Sequence, residues 1–76
     1  PKDFAEASEP IGSNPRFTNF LRGRIHADNG KLFVKSTGAQ ESHLVTSLYR
    51  SNGFIVLPEG RLSVQPGELL EVWRWR

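Results

Sequence analysis

The sequence predicts a mainly β fold: a small, partly open β-barrel or β-clip-like domain over residues 16–76 with one short helix, preceded by a linker or arm over residues 1–15. Three observations carry it. Polar and apolar residues alternate with period two from Phe17, an Asn29-Gly30 pair separates two apolar segments, and Phe54-Ile55-Val56-Leu57 is a continuous apolar run ended by Pro58.

The opening PKDFAEASEPIGSNP contains three prolines, one glycine and no sustained periodicity, which is the composition of a linker or arm. The chain also starts on Pro1 instead of methionine, which fits a processed terminus or, given so linker-like an opening, a segment of a longer protein. From Phe17 onward, Phe17, Leu21, Ile25 and Ala27 share one face of a strand, and Thr18, Arg22, Arg24 and His26 lie mostly on the other. Asn29-Gly30 tolerates positive φ at both centres of a type I′ turn. A two-residue loop there pairs Ala27 with Leu32, Ile25 with Val34, and Arg24 with Lys35, the last a mild like-charge repulsion unless an anion or carboxylate intervenes.

A polar stretch, Ser36 to Ser42, then leads into Leu44, Val45, Leu48 and Tyr49 at helical spacing. Ser42 or Glu41 can cap that short helix and Asn52-Gly53 can stop it in the left-handed region. The run Phe54–Leu57 reads as a strand buried on both faces, Gln65-Pro66-Gly67-Glu68 as a turn, and Leu69 to Trp75 as the closing strand.

Seventy-six residues and 8.6 kDa suffice for one small domain, and such a chain removes only about 60% of its extended surface from water on folding. A mean hydropathy of −0.45 fits a thin core. The sequence has no cysteine, so neither a disulfide, a thiolate metal site nor a cysteine nucleophile is available. No apolar run reaches the roughly 18 residues of a membrane span and no signal-peptide pattern opens the chain, so a cytoplasmic location is expected. The net charge of +2 is uneven: Lys2 against Asp3, Glu6 and Glu9 leaves −2 over residues 1–15, and nine basic against five acidic residues leave +4 beyond.

Few residues suggest chemistry. His26 and His43 are isolated and the acidic residues scattered, so neither a metal site nor a carboxylate dyad is expected. An anion site has better support. Free backbone N–H groups at the helix start attract anions, Gly38 allows close approach, Ser42 offers a hydroxyl, and Arg22 projects from the polar strand face with a guanidinium able to grip a phosphate. Capping by Ser42 and solvation of Arg22 explain the same residues without a ligand. Trp73 and Trp75 share one face of the last strand, a pattern that closes a core or covers an interface, and Glu68 and Glu71 nearby argue against a nucleic-acid groove.

Leu21-Arg22-Gly23, Ser36-Thr37-Gly38-Ala39-Gln40-Glu41-Ser42-His43, Ser47-Leu48, Asn52-Gly53-Phe54-Ile55-Val56-Leu57-Pro58 and Pro66-Gly67-Glu68-Leu69-Leu70-Glu71-Val72 occur in that order. Together, over about residues 16–73, they resemble the C-terminal domain of the MoeA and gephyrin family, the molybdopterin molybdotransferases. The resemblance implies an elongated multidomain homodimer that inserts molybdate into adenylyl-molybdopterin in a magnesium-dependent step, releasing AMP and finished molybdenum cofactor. It implies a small β domain lining one side of a cleft whose other wall belongs to the partner protomer. The family's cleft arginine falls on Arg22 and the serine of its Gln-x-Ser motif on Ser42, whereas Glu41 stands where many relatives have glycine. Magnesium and pyrophosphate would be held by residues of another domain, so no catalytic residue is expected within this chain alone. Gephyrin-like relatives also imply an alternative, a protein-interaction or scaffold module. A small basic nucleic-acid binder is a third reading, with affinity that falls steeply with salt.

Overall fold

Asn29 and Gly30 have φ of 54° and 79°, and the turn they make sets the register of a six-pair hairpin. The computed structural model describes residues 2–37 and 51–75. The hairpin joins β2 (Asn19–Asp28) to β3 (Lys31–Ser36), with Ala27 opposite Leu32, Ile25 opposite Val34 and Arg24 opposite Lys35, as the two-residue loop requires. The other strands are β1 (Lys2–Ala7), β4 (Gly53–Leu57) and β5 (Leu69–Arg74). Their order is β1-β3-β2-β4-β5, and the sheet closes on itself as a barrel.

The mainly β barrel predicted from the sequence is what the chain forms, and the closing member comes from an unexpected place. Residues 1–15 read as a linker or arm, yet Lys2–Ala7 form β1, antiparallel to β5 and parallel to β3. The alternation is there in muted form: Ala5 and Ala7 are buried, and Phe4 points outward with 56% of its surface exposed. Alanine carries a weak hydropathy signal and a low strand preference, so acidic neighbours hid the period. A barrel this narrow needs small side chains somewhere inside, and the two alanines supply them.

β2 is long enough to serve two neighbours. Asn19–Gly23 pair with β4 and Gly23–Asp28 with β3, so the change of partner falls at Gly23. Gly23 lies directly opposite Gly53, and the Ile25 and Ile55 side chains occupy the room that both residues leave inside the barrel. Phe17, expected on the core face, sits instead in the turn before β2 with 60% exposure, its N–H donating to the Asn14 carbonyl at 3.2 Å. Ala27 is exposed near the hairpin tip.

The core consists chiefly of Ile25, Val34, Ile55, Leu57, Leu70 and Val72, with Ile11 and Val64 closing it through an isolated bridge. In β4, Ile55, Val56 and Leu57 are all buried, consistent with a strand covered on both faces. The Gln65–Glu68 turn forms as expected, with the Glu68 N–H donating to the Gln65 carbonyl at 3.2 Å. It is tied to β1 through Gly67 N–H to the Ala7 carbonyl at 2.9 Å and Ala7 N–H to the Glu68 carbonyl at 2.9 Å. The helix expected around Leu44–Tyr49 lies outside the described residues.

Candidate functional site

Strand alternation puts Arg22 on the outside of the barrel, because its neighbours Leu21 and Gly23 face inward with Ile25. Its cross-strand partner on β4 is Phe54, whose own partner on β5 is Trp73, followed by Lys2 on β1. On the other side, the Arg22 carbonyl accepts hydrogen bonds from the Thr37 N–H and Oγ1, each at 3.2 Å. Arg22 therefore stands beside Thr37, just past the end of β3, and beside β4, which Ser51 and Asn52 precede. Arg22 is half-buried there.

Two glycines hold the backbone close at this point. A Cβ on Gly53 would lie 2.5 Å from the Trp73 carbonyl oxygen and 2.8 Å from Ile25 Cδ1, and one on Gly23 would lie 3.0 Å from the Ile55 side chain. Gly53 was expected as a left-handed helix stop. Among the described glycines the positive φ values belong to Gly30, Gly60 and Gly67, so it is close approach that requires glycine at 53.

Asn52, expected only as part of a helix stop and of the 52–58 motif, has a side-chain role that sequence reasoning missed. Its Oδ1 accepts from the Ile25 N–H at 2.7 Å and its Nδ2 donates to the Ile25 carbonyl at 2.9 Å. Its own backbone donates to the Gly23 carbonyl at 3.0 Å and accepts from the Trp75 N–H at 3.0 Å. The side-chain amide acts as a substitute peptide group beside β2, fixing the strand just after the Arg22-Gly23 pair.

Beside Arg22 the outer face is aromatic. Phe20 and Trp73 meet edge to face with centroids 6.0 Å apart, as do Phe54 and Trp75 at 5.6 Å. Trp73 and Trp75 remain 44% and 41% exposed, so the pair covers the outside of the sheet and leaves the core to the aliphatic residues. Trp73 Nε1–H donates to Glu71 at 2.6 Å. His26 stacks on Phe33 at 5.6 Å on the same outward side of the hairpin. Ser42, the second candidate anion contact, lies outside the described residues, as do Gly38, Glu41 and His43. The structure thus positions Arg22 at the two ends of the 38–50 segment that carries Ser42.

Comparison with known proteins places these features in a family. The sequence profile described as the MoeA C-terminal region (domain IV) matches residues 5–75, a span that starts within β1. The chain is 41% identical over 59 residues to the molybdopterin molybdenumtransferase of Bacillus subtilis strain 168 and covers 14% of that protein. It superposes on the molybdopterin biosynthesis moeA protein of Pyrococcus horikoshii OT3 with a TM-score of 0.73 at 22% identity, over 97% of this chain and 18% of the other, a likeness of fold. A molybdenum cofactor biosynthesis protein of Pyrococcus furiosus gives a TM-score of 0.63 at 26% identity, over 93% of this chain and 24% of the other.

Proposed function

The chain belongs to the MoeA C-terminal region (domain IV) family, and from that membership we propose that it forms one wall of the cleft in which molybdate is inserted into adenylyl-molybdopterin. The observation that carries this reading is the placement of Arg22 on the outer sheet face, directly before the glycine pair and at the root of the segment bearing Ser42. There the Arg22 guanidinium offers two parallel hydrogen bonds to a phosphate or molybdate oxygen. Ser42 donates its hydroxyl to the same ligand. Molybdate is the substrate, and AMP and the finished cofactor are the products.

The rest of the machinery belongs to the parent protein, in this proposal. Among the described residues no three His, Asp or Glu side chains gather to hold a metal, so this part of the chain does not fit a magnesium site. We assign magnesium to the remaining domains of the parent chain, and the opposing wall of the cleft to the second protomer of a homodimer. The domain alone is then not catalytic, and the parent works in the cytoplasm.

Replacing Arg22 by alanine in the full-length parent tests the reading. A charge-assisted hydrogen bond contributes about 1.5–3 kcal/mol, so cofactor assembly should fall about tenfold to a hundredfold. Circular dichroism and thermal unfolding establish that the variant is folded. A folded variant with unchanged assembly overturns the assignment.

The half-exposed aromatic face of Phe20, Phe54, Trp73 and Trp75 favours a second reading, a protein-interaction or scaffold module. Complementation of a molybdenum-enzyme defect by the parent separates the two. Failure to complement, with partner binding retained, favours the scaffold.

A further inference from the structure

β2 runs past the neighbour that covers it. β4 pairs with it only from Asn19 to Gly23, and the Asn52 side chain then satisfies the backbone of Ile25 on that same side. By the period of a strand, the Ala27 N–H and C=O also point to that side, away from β3, and no described strand lies there. A groove follows this edge. Ile25, Ala27 and Leu32 give it an apolar floor, and Asn52, Arg24, His26 and Arg74 line the rest.

The lining of the groove carries two arginines and no carboxylate, and Asp28 stands beyond it at the end of β2. Arg74 is bonded to Asp3 at 2.6 Å. Arg24 sits opposite Lys35 in the ladder, and neither has an ion-pair partner among the described residues. Like charges directly opposite one another are destabilising, and a carboxylate beside them relieves the repulsion.

The open N–H and C=O of Ala27 are a template for an added strand, and the side chains of that strand alternate between two environments. One set falls over Ile25, Ala27 and Leu32, the other beside Arg24 and His26. We propose that the edge of β2 over Arg24–Asp28, which no other described strand covers, binds an extended acidic segment of another protein, with acidic and apolar residues in alternation, as an added β-strand. A second copy of this chain is a poorer occupant, because Asn52 already occupies the Ile25 backbone, and pairing about Ala27, the residue left open, sets Arg24 opposite Gly30 of its mate, where no carboxylate relieves it. The proposal uses none of the residues assigned to the cofactor cleft.

The test is a titration of the isotopically labelled 76-residue chain with a short blocked peptide that alternates aspartate and valine. Binding should slow hydrogen exchange at the Ala27 amide. A peptide of the same composition in block order, and the Arg24→Glu variant with the alternating peptide, should each bind about tenfold more weakly or worse, a loss of about 1.4 kcal/mol. Ala27→Pro removes the one donor the partner would use and leaves the ladder to β3 intact, so it should abolish the protection. If that variant does not fold, the block-order peptide and Arg24→Glu still decide. Equal binding of both peptides, or no added protection at Ala27, overturns the proposal. So does protection that grows with protein concentration without peptide, which would give the edge to a second copy.

Discussion

Asn52 supplies with one side chain what a strand supplies with a peptide bond, and both of its amide groups are engaged by Ile25, at 2.7 and 2.9 Å. Asn52→Ala leaves the Ile25 N–H and C=O without partners in a part-buried setting, at about 1–3 kcal/mol for each group left unsatisfied. A urea unfolding midpoint well below wild type, with an unchanged slope, is the expected result. Asn52→Asp keeps the acceptor for the Ile25 N–H but sets a carboxylate against the Ile25 carbonyl, so it should not rescue the loss. The contrast with Asn29 shows what a dipeptide can and cannot say. Asn29-Gly30 and Asn52-Gly53 carry the same local signal, yet φ is positive at both residues of the first pair and at neither of the second. Only the alternating apolar strands on either side marked the first as a hairpin; the role of the second depends on β2 and β5, which are remote in sequence. Arg22 was legible because period two alone assigns its face. The place of Ser42 is not given by any such pattern, and it lies outside the described residues.

Among the elements, β4 depends on glycine for contact distance. Gly53→Ala would put a Cβ 2.5 Å from the Trp73 carbonyl oxygen, and a backbone atom cannot swing aside as a flexible side chain can. β4 and β5 must separate locally, so the substitution should cost about 1–3 kcal/mol, as overpacking usually does. Gly12→Ala is the control: nothing lies within 4 Å of a Cβ there, and thermal unfolding should be nearly unchanged. The hairpin β2–β3 was readable in full register, because a two-residue loop leaves no freedom once its centre is known. β1 was not readable, because its inward residues are alanines and its pairing partners lie far along the chain. Gly30→Ala tests the loop itself. At φ 79° an added Cβ should cost about 1–2 kcal/mol, seen as a lower melting temperature with Ile25 still opposite Val34.

At the scale of the whole molecule, closure is the property that β1 confers. It is the only described strand in contact with both β3 and β5, so without it the sheet has two free edges and the core loses Ala5 and Ala7. A chain of 76 residues has little stability to spare and no disulfide to compensate. The surface ion pairs Lys31–Glu6 and Arg74–Asp3, which tie β1 to the hairpin and to β5, contribute at most about 1 kcal/mol each, so backbone pairing and burial must hold the barrel shut. Removing residues 1–7 should therefore abolish the cooperative unfolding transition and produce concentration-dependent association through the exposed edges of β3 and β5. Ala5→Asp reaches the same end by another route. It buries a carboxylate at a position with 0% exposure, beside an intact backbone, and should destabilise the barrel without removing a strand. Calorimetry with size-exclusion chromatography on both variants is the check. A truncated chain that remains monomeric and melts cooperatively near the wild-type temperature would mean that the other four strands close without β1.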